Sequence, residues 1–355
     1  MGELGFEGAD GEVLIIAGGS GTRFWPKSRH GKPKQLLAIW DDKTLLEHTV
    51  ERFIPWNKAR LTVVTTAPLV EPSRETLGGV LKTGAVHFIA EPEGRNTAPC
   101  ILLGVLDVQR RNPKSVVCVV PADHYIRDEQ AFRDSLAHAV EKARTFEGII
   151  TLGIRPDRPE TAYGYIEMGG AESGGFHAVS QFIEKPELRV ALNYLKSGRY
   201  LWNAGIFVFR AEVGLRAFES CMPRLYALFS DSAASVADKY ARLHADDAIS
   251  IDFGVMEDAQ KKGIPISVLP VEYGWSDLGS FTALEEIDKA VYGTVVSHNS
   301  ASNIVQCDEG MVALMGVNDL VVIKDRDVVL VTTKDRCQEL KFLVERVRKD
   351  HPRFS

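Results

Sequence analysis

The stretch AGGSGTRFWPKSRHGKPKQ, residues 17–35, follows the apolar run VLIIA and carries Gly18, Gly19, Ser20, Gly21, Thr22, Arg23 and Lys34. Small residues let backbone amides close around an anion, and Arg23 and Lys34 add fixed positive charge. The composition alone reads equally as a polyphosphate loop or as a tight strand-to-helix turn. No GxxxxGK[ST] P-loop is present, and the dinucleotide fingerprint GxGxxG fails because Phe24 occupies its last glycine position.

Other polar residues gain meaning only in combination. Asp123 in PADH reads by itself as a strand-end turn or helix cap, and Asp277 in WSDLGS as the cap of a helix near Ser280. Glu184 and Lys185 before Pro186 read as a surface pair, Asn203 as a turn residue and Gly164 as a strand kink. Asp252, just before a helical pattern, reads as an N-cap, and Trp275 as packing rather than a base-stacking residue.

These residues need a frame to hold them. Apolar runs recur at 13–17, 61–66, 86–90, 115–121 and 148–153. Between them lie helical patterns such as TLLEHTVERF, where Thr44 and Glu47 are spaced as a capping box, and AFRDSLAHAVEKARTF. Strands alternating with helices indicate an α/β fold around a mainly parallel sheet, with ligands at the carboxyl ends of the strands. The opening loop falls at such an end. After about residue 290 the texture changes to short Val-rich strands, SNIVQC, MVALMG, DLVVIKD and DVVLVTT, without intervening helices. An all-β appendage or β-helix-like stack fits. A final amphipathic helix offers Leu340, Leu343, Val344 and Val347 to dock on it, a homodimer contact being the alternative. The expected division is a disordered lead-in at 1–11, a catalytic domain at 12–290 and the β appendage with its helix at 291–355.

Bulk properties exclude some classes. The 355 residues are 45% hydrophobic and 25% charged, and no run reaches the roughly 18 apolar residues of a membrane helix. The acidic, Gly-rich start lacks a signal peptide's basic and apolar regions. Five scattered cysteines without a CxxC point to a reducing, cytoplasmic setting. A net charge of −6 argues against a bulk grip on nucleic acid.

Seven collinear blocks then carry a resemblance: GSGTR with Pro33-Lys34, EPEGRNTAP, PADH, ETAYGYIE, FIEKP, WNAGIFVF and WSDLGSF. Together they resemble the mannose-1-phosphate guanylyltransferases, the GDP-mannose pyrophosphorylases, from about residue 12 to 349. The resemblance implies a Rossmann-like, GT-A-like nucleotidyltransferase domain with a small C-terminal left-handed β-helix. It implies transfer of GMP from GTP to α-D-mannose 1-phosphate, with release of pyrophosphate. Asp123 and Asp277 would hold Mg²⁺ or another divalent cation. Arg23 would grip the β/γ-phosphates within the Gly18–Thr22 loop, and Lys34 would stabilise charge on the α-phosphate. Lys185 would stand by the sugar phosphate, Glu184 and Asn203 would bind the sugar, and Gly164 would let the backbone approach it. Guanine presents adjacent N1–H and N2–H donors, so one carboxylate can accept both; Glu91 is the candidate, with Asn96 and Thr97 nearby and a helix cap as its alternative. Open alternatives for the whole chain are a pyrophosphorylase for another sugar and nucleotide, or a regulatory homologue that binds GDP-mannose without making it. Longer relatives carry a fused isomerase domain, and with the sequence ending at Ser355 no mannose-6-phosphate isomerase activity is expected.

Overall fold

The structure, a computed structural model, describes residues 11–354 except Ser20, His30, Asn57, Lys58 and residues 82–85. The expected lead-in lies outside the described residues up to Asp10, and Gly11 already belongs to the first strand. The strands, in chain order, are β1 (Gly11–Ile16), β2 (Arg60–Thr66), β3 (Val86–Glu91), β4 (Val116–Pro121), β5 (Tyr125–Ile126), β6 (Ile149–Ile154), β7 (Tyr165–Ala171), β8 (His177–Ile183), β9 (Tyr200–Arg210), β10 (Ile266–Val271), β11 (Trp275–Ser276), β12 (Val291–His298), β13 (Ile304–Met315), β14 (Leu320–Asp325) and β15 (Val328–Thr333). They fall into two compact units that differ from the order of the sequence.

The first unit comprises the described residues up to Gly18, Val50–Ala122 and Asp128–Tyr273. Its nine-stranded sheet, among the described residues, has the order β3-β2-β1-β4-β9-β6-β10-β8-β7, with β7 also pairing β9. β1, β2, β3 and β4 are parallel neighbours, whereas β8 and β9 run against the rest. The expected mainly parallel sheet therefore holds with two reversed strands. Apolar runs buried on both faces explain the parallel part: Val13, Leu14 and Ile15 of β1 are fully enclosed. The helix Thr97–Arg111 lays Ala98, Ile101, Leu102 and Val105 into one core with Leu14, Val117, Val119, Phe207 and Phe209. The helix Glu129–Ala143 buries Phe132, Leu136, Ala139, Val140 and Ala143, as its spacing predicts, while Phe146 lies beyond its end. Because β1 sits where the strand order turns from β2 to β4, its carboxyl end is the topological switch point.

The second unit comprises Gly19–Thr49, Asp123–Arg127 and the chain from Gly274 onward. β12, β13 and β14 pair in parallel and β15 closes the stack antiparallel. Paired residues stand 17 apart between β13 and β14, and between β12 and β13 the spacing goes from 14 at Val291 to 17 from Thr294 onward. Asn303 ties rungs together by donating to the Val317 carbonyl and accepting from Leu320 N. This is a β-helical stack. Two of the expected strands, SNIVQC and MVALMG, are one continuous β13 that bends at Gly310 (φ 75°), and β12 precedes the expected first strand. The helix Leu340–Asp350 buries Leu340 and Val344, but Leu343 is 43% exposed, so the docked face is narrower than expected. The unit's core joins Phe24, Trp25, Leu37 and Ile39 to Phe281, Ile304, Val321, Ile323 and Leu340.

No helix among the described residues is long and apolar enough to cross a membrane.

Candidate active-site clusters

In the second unit, Gly21 takes a left-handed conformation (φ 61°) ahead of the short 3₁₀ turn Thr22–Phe24. A Cβ there would lie 2.4 Å from Lys34 Cβ and 2.5 Å from Lys34 N, so the glycine is what lets the two ends of the motif pack. Lys34 opens the turn Lys34–Leu36 and is only 8% exposed. Its Nζ donates to Asp123 Oδ2 at 2.8 Å and to the Asp277 carbonyl at 2.5 Å.

The two acids meet because β5 and β11 pair antiparallel, Ile126 opposite Trp275 and Tyr125 opposite Ser276. The ladder carries Asp123 and Asp277 to the same end. Trp275 Nε1 donates to His124 Nδ1 at 3.1 Å and packs edge-on against that ring, which confirms Trp275 as a packing residue. Beyond Asp277 the chain turns sharply, with Leu278 at φ 47° and its N–H donating to Ser276 Oγ. Arg23 Nη1 donates to the Gly279 carbonyl at 3.2 Å. Burial raises the Asp123 carboxyl pKa, but the Lys34 ammonium and His124 outweigh it, so Asp123 stays ionised below its ordinary range. Among the described residues no group of three or more His, Cys, Asp and Glu forms a ready-made metal cage. Two half-buried carboxylates are nonetheless the donor set Mg²⁺ takes when phosphates complete its shell.

A second cluster belongs to the first unit. Asn203 on β9 donates from its backbone N to the Gly164 carbonyl at 2.9 Å. A Cβ on Gly164 would lie 2.9 Å from Glu184 Oε2 and 3.5 Å from Asn203 Cβ, so Gly164, Glu184 and Asn203 are neighbours. Lys185, at φ 39°, pairs with Glu184 Oε1 at 2.6 Å and is 61% exposed at the side chain. Asp252 corrects an expectation. It opens a π-helical turn, Asp252–Met256, yet its Oδ1 accepts from Asn203 Nδ2 at 2.7 Å, and Ser250 Oγ takes the capping contact with Phe253 N. Burial raises its pKa, the Asn203 hydrogen bond opposes that rise, and the charge of Glu184 adds to it.

A third cluster, also in the first unit, surrounds Glu91 at the end of β3. Glu91 is 1% exposed, accepts from Tyr240 Oη at 2.5 Å and is also bonded by Cys100. Its other oxygen, Oε2, lies beside Gly18, where an added Cβ would come to 3.4 Å. Burial raises the Glu91 pKa against those two hydrogen bonds. Asn96, at φ 70°, caps the helix Thr97–Arg111 by accepting from Thr97 N, and Thr97 Oγ1 accepts from Ile251 N at 2.9 Å. Gly19 and Thr22 lie on the loop's accessible side, and Ser20 lies outside the described residues. Sequence reasoning missed Tyr240 and gave Asp252 only a helix-cap role. A polar residue opening an apolar helical pattern was the signal for Asp252, and Tyr240 carried none.

Comparison with known proteins identifies the family. Residues 12–293 match the family model described as nucleotidyl transferase, and residues 293–347 match a mannoseP isomerase/GMP-like β-helix domain. A mannose-1-phosphate guanylyltransferase of Escherichia coli is 35% identical, with the alignment covering 95% of this chain and 73% of that protein. A crystal structure from Thermus thermophilus, described as a mannose-1-phosphate geranyltransferase, has a TM-score of 0.86 and 34% identity, covering 96% of this chain and 99% of its own. A UDP-glucose pyrophosphorylase with UDP-glucose, 17% identical with a TM-score of 0.52, covers 78% of this chain and 97% of its own and shares the fold.

Proposed function

The chain belongs to the nucleotidyl transferase family, among its mannose-1-phosphate guanylyltransferases, and from that premise we propose how its residues divide the work. The enzyme transfers the guanylyl group of GTP to α-D-mannose 1-phosphate, giving GDP-mannose and pyrophosphate. A phosphate oxygen of the sugar attacks the α-phosphorus in line, and the bond to the β-phosphate oxygen breaks. Such chemistry calls for alignment and neutralised charge rather than a covalent nucleophile.

The observation that carries the assignment is Lys34, whose ammonium donates to the Asp123 carboxylate and to the Asp277 backbone carbonyl. Asp123 and Asp277 would hold Mg²⁺ or another divalent cation, which would supply neutralisation of charge on the phosphates. Lys34 meets charge developing on the α-phosphate, and Arg23, exposed beside Gly279, grips the outer phosphates through its planar fork. Glu184 and Asn203 receive sugar hydroxyls, Asp252 orients the Asn203 amide, and Lys185 offers its exposed ammonium to the sugar phosphate. Glu91 accepts the guanine N1–H and N2–H edge, while Tyr240 and Cys100 orient it. Free Cys100, Cys118, Cys221, Cys307 and Cys337 suit a cytoplasmic setting.

A pyrophosphate-release assay over GTP, ATP, UTP and dTTP with mannose or glucose 1-phosphate tests the reading. GTP with mannose 1-phosphate is expected to turn over best; preference for UTP with glucose 1-phosphate would overturn it. Asp123→Asn is expected to lower kcat by about 10²-fold or more, the scale for losing one electrostatic stabiliser. Unchanged turnover rejects the ion-holding role.

A further inference from the structure

Arg23 and Lys34 are joined by a segment whose other charges have no part in the reaction above. Lys27, 4% exposed, is ion-paired with Asp308 on β13. Arg29 donates from Nη2 to Asp325 Oδ2 at 3.0 Å and to the Asp325 carbonyl at 3.3 Å, at the end of β14. The same guanidinium reaches Asp327 Oδ1 at 3.2 Å and closes its own loop through Nε to the Pro26 carbonyl at 3.0 Å. Asp308 stands close to Asp325, and with burial it raises the Asp325 pKa. Trp25 Nε1 donates to the Phe354 carbonyl at 2.8 Å, and Phe24 packs on Phe281 at 4.9 Å between ring centroids.

A loop that needed only to be covered could be covered by apolar residues. Burying an ammonium and a guanidinium is costly unless each is paired, and the pairing fixes one register of loop against support. Among the described residues, the ionic partners of Lys27 and Arg29 all come from the β-helical stack. Lys27 and Arg29 lie midway between the two residues that handle the triphosphate, so a shift of the segment moves both cations.

We propose that the β-helix is the latch of the nucleotide loop: Asp308 and Asp325 are positioning residues for guanylyl transfer, acting through Lys27 and Arg29 on Arg23 and Lys34. This rests on the reaction assigned above. Misplacement by about 1 Å can cost on the order of 10²-fold in rate, so a partial release is expected to read as about tenfold.

The test uses the full chain as Asp325→Asn, Lys27→Met and Arg29→Gln, with Glu285→Gln as control, since Glu285 on the same unit pairs with Lys334 rather than with a loop residue. Amide hydrogen exchange over residues 22–33 is expected to quicken about tenfold in the three variants and not in the control. KM for GTP is expected to rise about tenfold in the same three, with KM for mannose 1-phosphate within twofold. Unchanged exchange over 22–33 overturns the latch whatever the activity. Equal rises in both KM values, or faster exchange throughout β12–β15, mark a general packing role and overturn it too. If Lys27→Met does not fold, Asp325→Asn, nearly isosteric, carries the decision. A wild type inactive with GTP and mannose 1-phosphate would sink the assigned reaction, and the exchange result would still decide the latch.

Discussion

At the scale of single residues, the carboxylates separate by environment. Asp123, beside Lys34 and His124, is held ionised, whereas burial holds the pKa values of Asp252 and Glu91 high. That difference has a measurable sign. A carboxyl whose folded pKa is raised contributes stability below its unfolded pKa, about 3.9 for Asp, and loses that contribution as pH climbs through the folded value. Asp252→Asn keeps an oxygen for the Asn203 amide but cannot ionise. Its thermal midpoint should match the wild type near pH 3.5 and exceed it increasingly toward pH 7. Melts across that range check this, and a gap independent of pH would contradict it. The pairings that sequence reasoning missed share a cause. Asp252 meets Asn203 across 49 positions and Tyr240 meets Glu91 across 149, so no local spacing announces either pair.

At the scale of elements, the loops carry more strain than the strands they join. Asn96, Lys185 and Leu278 all have positive φ, and each lies in a motif singled out from the sequence: EPEGRNTAP, FIEKP and WSDLGSF. Gly21 is the sharpest case. Gly21→Ala adds a left-handed alanine, which costs about 1–2 kcal/mol, and puts its Cβ against the Lys34 backbone, which cannot swing aside. A lower unfolding midpoint and lost GTP binding are expected, read by melting and by titration with GTP; binding at wild-type strength would show that the turn is dispensable. The regular elements were legible. β1 to β4 and β6 follow continuous apolar runs, and the Thr44–Glu47 capping box forms, with Glu47 N donating to Thr44 Oγ1 and Thr44 N to Glu47 Oε2. β12 was not legible because most of its side chains stay exposed, leaving no apolar run, and Gly310 inside β13 mimicked a break. The pairing of β5 with β11, two residues each, has no sequence signal, although it brings Asp123 to Asp277.

At the scale of the whole molecule, the α/β class and the β-helical end were readable, because alternation of strand and helix gives way to closely spaced Val-rich strands. The grouping of residues into cores was not, since it depends on tertiary packing of distant segments. Phe24, Trp25 and Leu37, early in the chain, share their core with Ile304, Val321, Ile323, Leu330, Leu340 and Val344. Full burial of one such side chain is worth about 1.5–3 kcal/mol, and a domain's net stability is about 5–15 kcal/mol. A chain cut after residue 290 should therefore fail to order residues 19–49, seen as lost protease resistance of that segment and no GTP binding. A soluble cut form that binds GTP normally would contradict this.

The same grouping sets an order of events during synthesis. Residues 19–49 leave the ribosome early but have no complete core until residues near 344 have emerged. At about 5–20 residues per second, that interval lasts on the order of 15–60 seconds. Throughout it, the most cationic part of the enzyme's machinery waits as an unanchored nascent strand, open to chaperones and proteases. Nucleotide competence therefore waits until the β-helical stack has emerged.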